Sequence, residues 1–271
     1  MSLQFTGGDS DRVSHGTSGL ANIGVGTLML WIYPDDVANS FRVPASKNNT
    51  LGTVGWTLYR PTADGTIFRF DLVRATTALQ IWSVTATITS GAWQFIGVSW
   101  NTGGANGDQR MVRGTLTTLA AEVSYATQLV GSGAQVDDTA QAYMIGNQNT
   151  AHSIPGRIAI ATLYGGVALS VAEMQSWQFR PRVLNSSCLQ FTYYGFAGTS
   201  TQPDWSGGGR NGTVTGATVA DHVPLGPPFG FDLGWMGAFT AAVAGRTTKN
   251  TDSRPLGIFA GMSRRMNIPP L

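Results

Sequence analysis

Only one cysteine, Cys188, occurs in 271 residues. That excludes an intrachain disulfide framework, and a zinc site would need more Cys and His than the chain offers. In the run Cys188-Leu-Gln-Phe the thiol reads as a small buried apolar group. Charge is scarce too: Asp, Glu, Lys and Arg make up 12% of the chain, about half the share of an average soluble protein. Such a surface suits a protein packed against neighbours, or a β-surface rich in Thr, Ser and Gly. Glutamate is limited to Glu122 and Glu173, and histidine to His15, His152 and His222. No run approaches the roughly 18 apolar residues of a membrane-spanning helix. Met1-Ser-Leu-Gln-Phe enters strand-like sequence at once, without a basic start or an apolar core segment, so synthesis in the cytoplasm without a secretory signal is expected. The glycosylation sequons at Asn48, Asn185 and Asn211 carry little weight in that setting.

What the chain has in quantity is short apolar runs punctuated by Gly, Asn, Pro and Asp, the pattern of many β-strands. Residues 27–33, Thr-Leu-Met-Leu-Trp-Ile-Tyr, form a nearly continuous apolar run that ends at Pro34. It reads as a central strand covered on both faces. Phe68, Phe70 and Leu72 alternate with Arg69 and Asp71, as on a strand with one wet face. In residues 93–100, Ile96, Val98 and Trp100 fall on one face and Trp93 and Phe95 on the other. Further strands are expected within 79–88, 143–146, 158–164 and 189–194. Asn211-Gly212 marks a turn before a short strand at 213–215.

A single helix is expected after Leu169. Ser170 and Glu173 have the spacing of a capping box, Leu169 and Met174 that of a hydrophobic staple, and Pro181 keeps the helix short. Many strands with almost no helix indicate an all-β, antiparallel two-sheet sandwich or jelly roll.

Several segments, taken in order, resemble concanavalin-type, laminin-G-like domains. Leu3-Gln-Phe-Thr-Gly-Gly-Asp9-Ser-Asp11 looks like their opening strand and turn. Residues 27–34 look like their second strand, and Trp93-Gln-Phe-Ile-Gly-Val-Ser-Trp100 like a core strand. Ile145-Gly-Asn, Pro155-Gly-Arg-Ile158 and the Leu169–Met174 segment look like the last strands and short helix. Asp204-Trp-Ser-Gly, followed by residues 211–217, is similar to the closing segment of bacterial and phage members. The resemblance covers roughly residues 1–225. It implies a jelly-roll sandwich, in a family that includes carbohydrate-binding modules, adhesins, glucanases and structural domains of phage particles. A shared fold does not fix a function.

Catalysis is not expected. A glucanase of this fold needs two converging carboxylates. Glu173 is explained as a helix cap and Glu122 stands alone, while Asp35-Asp36 and Asp137-Asp138 are adjacent pairs that would point to opposite faces of a strand. None of the histidines has a partner at motif spacing, so each reads as a surface or loop residue. No nucleophile elbow, phosphate loop or dinucleotide fingerprint occurs; Gly207-Gly-Gly-Arg-Asn-Gly lies in a turn context. No cofactor is expected. Calcium is the one metal the resemblance leaves room for, with Asp9, Asp11, Asp137 and Asp138 as candidates beside their simpler reading as turn-forming aspartates. Trp31, Trp93 and Trp100 read as core, whereas Trp56, Trp82 and Trp205 are undecided between core and sugar-stacking roles.

Residues 226–271 differ from the rest. Gly226-Pro-Pro-Phe-Gly-Phe is linker-like, residues 233–245 are apolar but too short to span a bilayer, and the remainder mixes Arg, Gly, Pro and Met. From residue 244 to the end, five cations (Arg246, Lys249, Arg254, Arg264, Arg265) against Asp252 give +4, leaving −2 for the rest of a chain whose total is +2. The division expected is a sandwich over 1–225 and a basic C-terminal extended arm over 226–271. On the arm, Trp235, Phe239 and Phe259 would be apolar anchors, and Arg254, Arg264 and Arg265 would pair with acidic groups of a partner. These features lead to a non-enzymatic virion protein of a bacteriophage as the expectation: a capsid decoration (cement) or tail-associated component, homo-oligomeric and in contact with other virion proteins. The alternative is a lectin or adhesin module for host-surface glycan. Neither a membrane span nor nucleic acid as partner is expected.

Overall fold

A computed structural model of the chain describes residues 1–225 apart from 9, 39, 49, 86 and 149–151. The chain begins with β1 (Ser2–Thr6), β2 (Arg12–Ser14), β3 (Val25–Pro34), β4 (Arg42–Ser46) and β5 (Trp56–Arg60). It continues through β6 (Arg69–Leu72), β7 (Leu79–Ser83), β8 (Gln94–Asn101), β9 (Arg110–Thr115), β10 (Ala121–Glu122) and β11 (Tyr125–Leu129). Then come β12 (Met144–Ile145), β13 (Pro155–Gly165), helix α1 (Val171–Gln178), β14 (Cys188–Tyr193), β15 (Thr213–Thr215) and β16 (Thr218–Ala220).

The strands form two eight-stranded sheets. The first has the order β10-β9-β8-β3-β13-β1-β16, and β14 also pairs with β13; the second has the order β11-β7-β6-β5-β4-β12-β2-β15. Every pairing between these strands is antiparallel. β13 is long enough to serve two neighbours on one side. Its first residues pair with β1 (Leu3↔Ile158), and those after a register shift pair with β14 (Ile160↔Tyr193).

The period-two pattern of each strand decides which side its residues occupy. Leu28, Leu30 and Ile32 of β3 and Ile96, Val98 and Trp100 of β8 face the core between the sheets. Their alternates, Met29, Trp31, Trp93 and Phe95, face a second apolar cluster on the outer side of the first sheet, built with Leu169, Met174 and Trp177 around α1. The first sheet is therefore buried on both faces, which explains why β3 is apolar throughout. Gly97 and Gly114 let α1 come close: a Cβ on Gly97 would meet Met174 Sδ at 2.7 Å and Val112 Cγ2 at 2.8 Å, and one on Gly114 would meet Gln178 Nε2 at 2.5 Å.

The helix starts as its sequence dictates. Glu173 N donates to Ser170 Oγ (3.3 Å) and Ser170 N donates to Glu173 Oε2 (2.7 Å), closing the capping box. Gln178, at the other end, donates to the Thr115 and Thr118 carbonyls and accepts from Ala120 N, which ties α1 to the β9–β10 turn.

The structure corrects two sequence readings. His15 is not at the surface: it is 5% exposed, since the closing segment of the chain brings the Arg210 carbonyl and Tyr194 against it. Glu122, which the sequence left without a carboxylate partner, accepts from Arg110 Nη1 and the Tyr125 hydroxyl, both at 2.8 Å. The adjacent aspartate pairs lie outside strands, so loop geometry rather than strand alternation separates their side chains. Asp35 accepts from Gln4, whereas Asp36 faces Arg60.

Candidate functional site

The second sheet shows a different face to solvent. In β5, β6 and β7, the side chains of Trp56, Leu58, Phe70, Leu72, Leu79 and Ile81 point into the core. The alternates therefore point away from it: Thr57 and Tyr59, both buried by their neighbours, and the half-buried Arg69, Asp71, Gln80 and Trp82. The registers Tyr59↔Arg69 and Arg69↔Trp82 place these three in one row across the sheet, and Thr57↔Asp71↔Gln80 form the next.

Asp71 organises this face. Its Oδ2 accepts from the Tyr59 hydroxyl and its Oδ1 from Trp82 Nε1, each at 2.8 Å. Burial raises the carboxyl above its usual range although both hydrogen bonds and the nearby Arg69 favour the charged form. The Tyr59 phenol is pushed up by burial and by the Asp71 charge. Arg69 lies between the two aromatic residues in the row, its Cζ 4.1 Å from the centre of the Trp82 ring, at cation–π distance. Its Nε has no hydrogen-bond partner among the described residues. Phe41 extends the aromatic row, with ring centres 5.1 Å from Tyr59 and 4.6 Å from His152. The result is a guanidinium fixed over an indole beside a carboxylate whose oxygens both accept. This arrangement can hold a polar ligand that presents hydrogen-bond acceptors. It provides no second carboxylate for acid–base chemistry.

The aspartates considered as metal ligands occupy two separate networks. Asp11 lies in the turn between β1 and β2, its Oδ2 accepting from Thr6 N and Thr6 Oγ1 at 2.7 Å. Asp138 is fully buried, with Oδ1 2.7 Å from Asn22 N and 3.3 Å from Lys47 Nζ. Asp137 accepts from Asn22 Nδ2 and Thr139 Oγ1, and these hydrogen bonds hold its carboxyl below the ordinary range. Asp9 lies outside the described residues. No group of three or more His, Cys, Asp or Glu among the described residues is placed to hold a metal ion. Trp235, Phe239, Arg254, Phe259, Arg264 and Arg265 also lie outside the described residues.

The undecided tryptophans separate cleanly. Trp56 is in the core, Trp82 is on the outer face of the second sheet, and Trp205 is 43% exposed on the closing loop. Sequence reasoning noted the alternation around Arg69 and Asp71 but missed the site. Its signal was there in the polar residues of three alternating runs; the cross-strand register that brings them together was not.

No protein-family model matches the chain, and no curated protein matches it. Solved structures do. A heptameric SAP-like pentraxin from Limulus polyphemus matches at 13% identity and TM-score 0.39, over 68% of this chain and 84% of that one. The CBM40 of Ruminococcus gnavus IT-sialidase, bound to α2,3-sialyllactose, matches at 14% identity and TM-score 0.42, over 65% and 95%. Tailspike protein 2 from Escherichia coli O157:H7 bacteriophage CAB120 matches at 10% identity and TM-score 0.45, over 68% of this chain but 25% of the tailspike. The two antiparallel sheets and single helix make the described residues an all-β two-sheet sandwich, the fold class expected from the sequence. No helix among them is long and apolar enough to cross a membrane.

Proposed function

We propose that the chain is a non-enzymatic structural component of a bacteriophage particle, a capsid decoration or tail-associated protein, that works through subunit contacts and holds glycan on the outer face of its second sheet. The observation that carries the binding role is the Tyr59–Asp71–Trp82–Arg69 cluster. The carboxylate there accepts from two aromatic side chains and has no carboxylate partner, so the cluster is built to hold a ligand and not to cleave one. The virion setting is supported by the sequence: few charged residues, a closing segment similar to that of phage members, and a basic arm over 226–271 able to dock on acidic groups of neighbouring subunits. Calcium at Asp9, Asp11, Asp137 or Asp138 is not required by this reading.

Two measurements test it. Light scattering on the purified full chain should show a symmetric oligomer that co-purifies with particles; a persistent monomer absent from particles would overturn the virion role. A glycan array should give hits for the wild type that Arg69→Gln loses. An array on which Arg69→Gln loses no hit, or an array with none, would overturn the assignment of the sheet face.

A further inference from the structure

Phe196 and Trp205 lie in the segment between β14 and β15, outside the face just described, and are 60% and 43% exposed. Their ring centres are 5.8 Å apart and the planes cross at 84°. The rings thus meet edge to face rather than stacked flat, and both stay exposed. The loop beneath them is braced from inside. Gln202 is fully buried; its Oε1 accepts from Gly195 N (2.7 Å) and its Nε2 donates to the Gly198 and Ser200 carbonyls (3.0 and 2.7 Å). Its backbone pairs in both directions with Gly212. Asp204 accepts from Phe191 N and Ser206 N through Oδ1, and from Ser206 Oγ and Arg210 N through Oδ2. Trp205 N donates to the Phe191 carbonyl at 2.7 Å.

The same bonds use up the local charge. Both oxygens of Asp204 accept from the loop, and the Arg210 guanidinium turns inward to the Ser18 and Leu189 carbonyls (2.9 and 2.7 Å). In the same segment of chain Thr199, Ser200, Thr201, the glycines at 207–209 and Asn211 are exposed. Two exposed aromatic rings on a loop that otherwise shows hydroxyls, an amide and glycine combine an apolar surface with hydrogen-bonding groups close in sequence. Holding the rings on a loop already fixed by buried side chains also removes most of the ordering cost on binding.

We propose that the Phe196–Trp205 pair is a second binding site, separate from the Arg69–Trp82 face, that takes an uncharged sugar ring: the apolar face of a pyranose stacks on an exposed aromatic ring while its hydroxyls bond the Thr and Ser side chains. The one cation of this loop, Arg210, spends its guanidinium on backbone carbonyls and offers nothing to an anionic sugar.

The test is a titration of the full chain with methyl glycosides of glucose, galactose, mannose and N-acetylglucosamine, followed by the tryptophan indole resonances in NMR. At least one glycoside should move the Trp205 resonance at concentrations up to about 30 mM, the range of single-ring affinities. Phe196→Ala should weaken the binding read at Trp205 at least about tenfold, and Trp205→Ala, read by titration calorimetry because it removes the reporting indole, should do the same, whereas Arg69→Gln should leave it unchanged. Both aromatic changes are at exposed positions, so thermal unfolding should stay near wild type. Three outcomes would overturn the site: no glycoside moves Trp205, Phe196→Ala binds as well as wild type, or the resonance shifts with protein concentration alone, which marks a second copy as the occupant. Loss of array hits at Arg69 with Trp205 still responding would separate this site from the sheet face.

Discussion

His15 and Arg210 are 195 residues apart in sequence, yet His15 Nδ1 lies 2.8 Å from the Arg210 carbonyl oxygen. A carbonyl only accepts, so Nδ1 carries the proton and Nε2 accepts from the Tyr194 hydroxyl at 2.9 Å. The ring stacks on Tyr143 at 5.3 Å. This bracket fastens the closing segment to β2 and fixes one tautomer of a neutral histidine.

Burial lowers the His15 pKa from 6.5 to about 4, against the hydrogen bond to Arg210 and the charge of Asp204, which favour protonation. The unfolded chain therefore binds a proton between pH 6.5 and 4 that the folded chain does not. Stability is highest above pH 6.5 and falls as the pH drops through that window, by about 2 kcal/mol between pH 7 and pH 5 from this residue. His15→Asn, which keeps a donor but does not titrate, should flatten the urea midpoint against pH relative to wild type. Unchanged curvature would show that the His15 charge is not excluded.

Lys47 and Asp138 are both fully buried and 3.3 Å apart, and Lys47 Nζ also donates to the Asp138 and Gln141 carbonyls at 2.9 and 2.8 Å. Desolvation lowers the Lys47 pKa while Asp138 opposes it. Lys47→Met leaves Asp138 charged and unpaired, and should cost about 3–5 kcal/mol. The double change Lys47→Met with Asp138→Asn should recover part of that loss in denaturant unfolding.

Gly97 is a packing requirement. Gly97→Val should force Met174 and Val112 apart and destabilise the fold by about 1–3 kcal/mol. The loss should be smaller in a Met174→Ala background, read as the thermal midpoint of the double variant against each single one.

Ser170→Ala removes the acceptor for Glu173 N and the reciprocal support of the capping box. A loss of about 1 kcal/mol is expected. Ser170→Asp should restore most of it, and equal midpoints for the Ala and Asp variants would show that the cap adds nothing.

Much of the architecture was legible because the rules behind it are local. The apolar run of β3 announced a strand covered twice, and the two faces of β8 separated as their alternation required. Ser170 and Glu173 fixed the helix start through four consecutive residues. The sheet-face site was not legible. Arg69 and Asp71 announce only a wet face; Tyr59, ten residues earlier, and Trp82, thirteen later, join them through register alone. His15 was misread for the same reason, since its burial depends on Tyr194 and Arg210 arriving from the other end of the chain.

By itself the sequence determined the strands with clear apolar runs, the helix and its cap, and the single buried cysteine, because period, capping and turn chemistry act over a few neighbouring residues; β4, β5, β9 and β11, whose runs are short or mixed, emerged only in the structure. Only the tertiary structure decided which polar side chains meet on the second sheet, which tryptophan is left in solvent and which histidine is kept neutral. Those outcomes follow from pairings between residues tens to hundreds of positions apart, fixed by the burial of both faces of the first sheet and one face of the second.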